Sequence, residues 1–326
     1  MVDFFFVLSG FVIALNYMGR VKTPQDLFIF QRKRFLRLYP LHLIMLFAFA
    51  ALEFAKYLVE VEFGMIANTP AFSINNMTAF FANLFLVHNW VLSTLSFNMP
   101  SWSISAEFYT YVIFGTLLLL TDSKRKMQVG ILIISILLFG YILGDYGMSR
   151  WATDNITGPI RCLYSFSIGA VAYCFFEKYR DRIVLTSSIP SVVCLVLSIL
   201  IVMFFASQDF KYVELIPLFF GVTILTLVLT KQNQKIHRVL SNNPTVYLGT
   251  ISYGIYMIHD LTWYVYTQVL RFVFKFPSVS DSQGKVSIDI ENVFVADLVT
   301  VLGIITVIIL AHLSYKYVET RFNRVR

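Results

Sequence analysis

Pro100-Ser101-Trp102-Ser103-Ile104-Ser105-Ala106-Glu107-Phe108-Tyr109-Thr110-Tyr111 opens an apolar run that continues to Leu120. The run has the composition of a membrane-crossing helix, with one carboxylate near its head. A charge at membrane depth costs about 3 kcal/mol or more unless it is paired or hydrated. Glu107 therefore reads either as a functional group or as a structural polar group bonded to a neighbouring helix. On a helix, Ser103, Glu107 and Tyr111 recur at i, i+4 and i+8 and share one face. That face carries a hydroxyl, a carboxylate and a phenol, which suits a site better than a lipid surface.

The rest of the chain has the same character. Its 326 residues are 57% hydrophobic and 14% charged, with a mean hydropathy of +0.70; a soluble domain carries roughly 25% charge. Apolar segments near the ~20 residues needed to cross a bilayer recur at about 4–18, 38–59, 101–121, 129–144, 162–177, 190–207, 213–230, 246–269 and 293–315. These segments predict an all-α fold, a polytopic transmembrane helical bundle of about nine spans. Residues 1–326 then form a single integral-membrane domain with no soluble domain appended. The segment 79–95 is apolar but short and holds His88, Asn89 and Trp90, so it reads as interfacial or re-entrant. The stretch 271–292 reads as a polar connector.

Loop charge sets an expected orientation. Arg20, Lys22, Arg32, Lys33, Arg34 and Arg37 fall on one side. Lys124, Arg125, Lys126, Lys178, Arg180, Arg182, Lys231, Lys235, Arg238, Lys316, Arg321, Arg324 and Arg326 join them, making nineteen of the 26 basic residues. The positive-inside rule places that side, with the C-terminus, in the cytoplasm. The same placement accounts for the net charge of +7 without nucleic acid as a partner. Nine spans with an inner C-terminus would put Met1 outside, and the opening residues do not read as a signal peptide. Parity thus predicts one further span upstream. Cys162, Cys174 and Cys194 lie in or beside apolar segments without ligand spacing and read as small buried hydrophobes. No metal-binding pattern is present in the sequence. Asn76-Met77-Thr78 and Asn155-Ile156-Thr157 are sequons of the kind that often arise by chance.

Two further constellations carry chemistry. Arg34 and Arg37, within Gln31-Arg32-Lys33-Arg34-Phe35-Leu36-Arg37-Leu38-Tyr39-Pro40, are i, i+3 at the mouth of a span. Guanidinium groups there suit phosphate, and they equally suit anionic lipid head groups. Ser252, Tyr256 and His259 are i, i+4, i+7 on a later span. His259 reads either as a proton-transfer group or as a satisfied interhelical contact. His42, His237 and His312 have no supporting cluster in the sequence.

At these residues the chain resembles the acyltransferase family 3 membrane proteins, integral-membrane O-acyltransferases that modify sugars, lipids and other surface molecules. Val2-Asp3-Phe4-Phe5-Phe6-Val7-Leu8-Ser9-Gly10-Phe11-Val12-Ile13 looks like the family's second span. Arg34-x-x-Arg37 with Leu38-Tyr39-Pro40 resembles its cytoplasmic Arg-x-x-Arg motif. Trp102-Ser103-Ile104-Ser105-Ala106-Glu107 resembles its Trp-Ser-Leu-Ser-x-Glu signature, and Ser252 through His259 its Ser-Tyr-x-x-Tyr-x-x-His span. Tyr317-Val318-Glu319 resembles its closing segment, with Thr320-Arg321 where Arg-Pro is usual. The likeness runs from end to end. It implies ten spans in the full family domain, the first carrying an Arg and a catalytic His upstream of Met1. A start placed downstream and a genuine truncation both fit, and the activity of the sequence as written is left open.

The resemblance further implies that no cofactor is bound and that acetyl-CoA or another acyl-CoA is the co-substrate. The acceptor would be a hydroxyl on a glycan or lipid-linked molecule, and membrane lipids the surroundings. Arg34 and Arg37 would hold the CoA phosphates. Glu107 would orient the upstream His, Tyr111 and Ser105 would hydrogen-bond acceptor or thioester, and His259 would assist proton transfer. A bacterial inner membrane is the expected location. Two other readings stay open: a transporter or flippase of lipid-linked saccharides, and a non-catalytic scaffold relative. Neither depends on acyl-CoA.

Overall fold

The computed structural model describes residues 2–64, 69–121, 123–145, 157–206, 215–280 and 286–323. Asn155 and Ile156 of the second sequon, the centre of the polar connector, and Arg324 and Arg326 lie outside these residues.

Each of the nine segments predicted as spans folds as a helix. They are α1 (Val2–Tyr17), α2 (Pro24–Phe63), α5 (Trp102–Leu120), α6 (Lys124–Asp145), α7 (Thr157–Tyr179), α8 (Ile189–Ala206), α9 (Ile216–Leu229), α11 (Asn243–Phe272) and α12 (Val293–Ser314). Among the described residues, four helical segments are long and apolar enough to cross a membrane: Pro24–Phe63, Met99–Leu120, Thr157–Tyr179 and Val293–Phe322. The apolar segments Val2–Tyr17, Lys126–Ile142, Ile189–Phe204 and Ile216–Leu229 are shorter. In α11 the tyrosines and the His259-Asp260 pair dilute the apolar content. Large apolar side chains stand exposed along α8 and α12, among them Leu200, Met203, Val301, Ile304 and Ile309. Helices that close their own backbone hydrogen bonds and turn hydrocarbon outward belong in lipid. The protein is an all-α integral membrane protein.

The segment 79–95 does not form a span. It folds into α3 (Met77–Leu84), capped by the Asn76 side chain on the Ala79 amide, and the single turn α4 (His88–Val91). An eight-residue helix is ~12 Å long, well short of the ~30 Å hydrocarbon layer. Arg34 and Arg37, expected on one helix face at the mouth of a span that starts at about 38, are helical, and the helix begins well before that segment. α2 begins at Pro24 and runs 40 residues through it, since Pro suits a helix start and only Pro40 interrupts the run. A short helix, α10 (Lys235–Leu240), precedes α11. A two-stranded antiparallel ribbon, β1 (Ser278–Ser280) with β2 (Val286–Ile288), forms in the connector before α12. A π-helical turn (Tyr315–Glu319) and the single turn α13 (Thr320–Asn323) follow α12.

The chain divides into two compact units. The first comprises Met1–Phe35, Asn89–Ser93 and Trp102–Val246. There α7 packs against α1, α5, α6 and α9, and α8 against α9. Gly10 of α1 meets the Phe166 backbone and Gly169 of α7 meets the Val7 backbone, closely enough that a Cβ at either position would collide. Small residues let membrane helices approach to backbone distance. A buried ion pair spans the same interface: Arg161 Nε and Nη2 donate to Asp3 Oδ1 and Oδ2, each at 2.7 Å.

The second unit comprises Leu36–His88, Thr94–Ser101 and Tyr247–Arg326. Backbone carbonyls organise it. The hydroxyls of Tyr39, Tyr253 and Tyr256 donate to the carbonyls of Leu84 at 3.0 Å, Leu38 at 2.5 Å and Pro100 at 2.8 Å. Asn98 Nδ2 donates to the Met257 carbonyl at 3.0 Å. His42, isolated in sequence, stacks on His88 with ring centroids 5.7 Å apart. His312 hydrogen-bonds the Tyr247 hydroxyl.

Candidate active site

The site in the first unit is built on α5. The turn Met99–Ser101 leads into this helix, so Glu107 and Tyr111 lie on its second and third turns, one above the other. Glu107 is wholly buried. Ser9 Oγ, from α1, donates to Glu107 Oε1 at 2.8 Å. The Tyr111 hydroxyl bonds the same oxygen, and the two hydroxyl oxygens are 2.7 Å apart. Two hydroxyl donors converging on one carboxylate oxygen offset much of the cost of removing it from water.

The start of α2 closes this group. Gln31 Nε2 donates to the Tyr111 carbonyl at 2.8 Å. Arg34 lays its guanidinium between two rings, 5.7 Å from the centroid of Tyr17 and 6.0 Å from that of Tyr111. Its Nε is buried and has no hydrogen-bond partner among the described residues. Phe30 and Phe166 meet the Tyr111 ring edge-on, with centroids 6.2 and 6.0 Å away. Around the upper turns of α5, Arg161 also sits over Trp102, 5.4 Å from its ring centroid. The structure thus places a buried carboxylate, two hydroxyls and a guanidinium together in an aromatic cage. Such a group can orient a base and receive an anionic oxygen.

The other predicted site residues fall elsewhere. Ser103 and Ser105 are both buried. Ser105 is two residues from Glu107 and so on another face of α5, and its hydroxyl takes a long 3.4 Å hydrogen bond from the Asn89 amide. Arg37 belongs to the second unit and is exposed. His259 also belongs to that unit; its Nδ1 lies 2.6 Å from the Tyr256 carbonyl, which assigns the proton to Nδ1 and leaves the lone pair on Nε2. The Ser252 hydroxyl is exposed and bonds the Gly249 carbonyl of its own helix at 2.8 Å, so Ser252 joins no polar group with His259. The three cysteines are free, and buried Cys162 accepts from Thr110 Oγ1 at 3.4 Å.

Four contributors escaped the sequence reading: Ser9, Gln31, Asp3 and Arg161. Asp3 and Ser9 stand in a run of apolar residues, and a polar residue six positions from another in such a run is a usable signal. Arg161 could have been matched to Asp3 as the ionisable residue of another span. Gln31 lay hidden within the basic cluster.

The family profile described as an acyltransferase domain, that of acyltransferase family 3, matches residues 1–313. The chain is 33% identical over 116 residues to the acyltransferase MdmB of Streptomyces mycarofaciens, a match covering 35% of this chain and 26% of that protein. It is 23% identical over 354 aligned positions to a protein of Staphylococcus aureus (strain COL) named, provisionally, an O-acetyltransferase; 99% of this chain and 52% of that protein are covered. A protein of Staphylococcus aureus (strain N315) with the same provisional name matches to the same extent. The chain thus spans about half the length of these staphylococcal relatives. No solved structure matches it. With the profile covering all but its last residues, the chain belongs to acyltransferase family 3.

Proposed function

We propose that this protein is a membrane O-acyltransferase that moves an acyl group, acetyl in the first instance, from acyl-CoA to a hydroxyl of a cell-surface glycan or lipid-linked acceptor. Family membership supports the reaction class. The observation that carries the site is Arg34: a half-buried arginine whose Nε is buried and unmatched among the described residues, stacked on the phenol that bonds Glu107. A buried guanidinium N–H without an acceptor is costly and suits a site that receives an anionic ligand.

In the reaction the acceptor oxygen attacks the thioester carbonyl carbon. The C–O bond forms, the C–S bond breaks, and CoA leaves with the proton that the acceptor lost. Glu107 orients the base that takes this proton, as a buried carboxylate does in a hydrolase triad. Ser9 and Tyr111 hold Glu107 in place by donating to it. Tyr111 and Ser105 contribute hydrogen bonds to acceptor or thioester, and His259, with its free Nε2, assists proton movement. Arg34 and Arg37 take the donor's phosphates. The nine helices are read as nine spans of a single membrane domain, with the basic loops and the C-terminus cytoplasmic, in a bacterial inner membrane.

The test supplies labelled acetyl-CoA and crude envelope glycans to membranes containing this chain or a form extended upstream. Label in the glycan fraction is expected. Label in neither preparation would sink the acyltransferase reading.

A further inference from the structure

A cavity lies wholly within the second unit. It has a volume of about 370 Å³, inside the ~300–1,000 Å³ range of small-molecule sites. Its lining includes Glu53 and Lys56 of α2, Asn75, Phe97, and Asp260 and Tyr264 of α11. None of these residues belongs to the Glu107 group.

The walls of this cavity are held by specific bonds. Asn75 Nδ2 donates to Glu53 Oε1 at 2.8 Å, and Asn75 Oδ1 accepts from the Phe97 amide at 2.5 Å. One side chain therefore ties two loops to α2. Glu53 Oε2 also accepts from the Phe72 amide at 3.1 Å. Phe72 and Phe97 have φ of 60° and 52°, a left-handed conformation that non-glycine residues seldom adopt and that surrounding structure must impose. These ties fix the rim. Asp260 and Tyr264 are the free groups. They are i, i+4 on α11, so both project to one side. Among the described residues neither the Asp260 carboxylate nor the Tyr264 hydroxyl has a hydrogen-bond partner. Tyr264 is 49% exposed, leaving its ring available as a platform.

The charge of the lining selects the ligand class. Lys56 lies 3.5 Å from Glu53 and is offset by it, which leaves Asp260 as the net charge. An acidic lining repels phosphate and sulfate, so acyl-CoA does not fit. A carboxylate acceptor, an amide, hydroxyls and aromatic rings together match a polyhydroxylated, uncharged ligand with an apolar ring face. Position agrees. α2 and α11 meet where the Tyr253 hydroxyl donates to the Leu38 carbonyl at 2.5 Å, and both contribute to the cavity lining. Residues 49–56 are roughly 18–28 Å beyond Arg37 along α2 at about 1.5 Å per residue. The cavity is thus remote from Arg37 within its unit. We propose that it binds a neutral or N-acetylated saccharide, the sugar portion of the acceptor. Its role as an acceptor site rests on the O-acyl-transfer reading; saccharide binding itself does not.

The experiment uses the full chain in lipid nanodiscs with two probes, maltotriose and N,N′,N″-triacetylchitotriose, observed by saturation-transfer NMR. At least one trisaccharide should bind the wild type. Asp260→Asn and Tyr264→Ala should each weaken that binding tenfold or more, while Tyr264→Phe, which keeps the ring, should weaken it less than Tyr264→Ala. Both side chains lack partners, so the variants should stay monodisperse in size-exclusion chromatography. Should they aggregate, Ser73→Trp fills the same cavity from a loop and should block binding. No binding of either trisaccharide to the wild type, or unchanged binding in the variants, overturns the saccharide site. Acetyl transfer is scored separately, with the upstream-extended form, labelled acetyl-CoA and envelope glycans: bound saccharide with no labelled glycan from the extended form would refute the acyltransferase reading and leave the saccharide site standing.

Discussion

Glu107 is tolerable in an apolar helix because its environment was built for it. Ser9 and Tyr111 donate to one of its oxygens, and neither donor is adjacent in the chain to the other. Glu107→Gln preserves the volume but removes the charge that those hydroxyls serve. We expect it to lower acyl transfer by about 10²-fold or more, the scale of losing a positioned acid–base partner, with the protein still recovered from the membrane fraction. Ser9→Ala should cost about tenfold, near the ~1.4 kcal/mol of a single hydrogen bond to a charged group; unchanged steady-state rates in that variant would remove Ser9 from the site. Arg34 makes a different prediction. Its planar guanidinium stacks on Tyr17 and Tyr111, a geometry lysine does not reproduce. Arg34→Lys and Arg34→Ala should both raise the acyl-CoA concentration needed for half-maximal rate, by about tenfold or more. Rescue by lysine would show that charge alone matters there.

Between elements, the tightest join is α1 on α7. Gly10 and Gly169 allow backbone-to-backbone approach, and Asp3 with Arg161 locks it. Gly169→Leu should destabilise by about 3 kcal/mol, the upper end for overpacking, whereas Gly130→Ala in α6, where an added Cβ meets nothing within 4 Å, should be neutral or stabilise by up to about 1 kcal/mol. Thermal unfolding in detergent reads both. Asp3→Ala should cost about 3 kcal/mol by removing the carboxylate that faces Arg161, and Asp3→Leu with Arg161→Met should recover most of it. If the double variant is as unstable as the single one, the pair is not simply a matched charge. The helices themselves were legible because apolar run length is a strong signal, and every predicted span proved helical. Their ends were not. The start of α2 at Pro24 lies upstream of its basic cluster, since charge distribution marks loops in a membrane but does not stop a helix from extending into water. The join of α1 to α7 was invisible because glycine spacing says which face is thin, not which helix it meets.

For the whole molecule, we propose that the side of the membrane carrying nineteen of the 26 basic residues is cytoplasmic. Cysteines introduced at Arg182 and Lys231 should then be shielded in intact cells from a membrane-impermeant maleimide, and one at Val279 labelled; the reverse pattern would invert the topology. The sequence carried half of the site. Glu107 and Tyr111 share a helix, so periodicity alone joined them. Ser9, Gln31 and Arg34 reach them from 73 to 102 positions away, and only tertiary packing brings those segments together. His259 and Ser252, equally periodic, did not form a polar group because Ser252 turned its hydroxyl to its own helix. The most direct measurement is transfer of labelled acetyl from acetyl-CoA to envelope glycan by the upstream-extended protein, wild type against Glu107→Gln, at equal amounts in the membrane. Acetylated glycan from the wild type and a loss of about 10²-fold or more in the variant is expected; transfer undiminished in Glu107→Gln would contradict the placement of the reaction at Glu107.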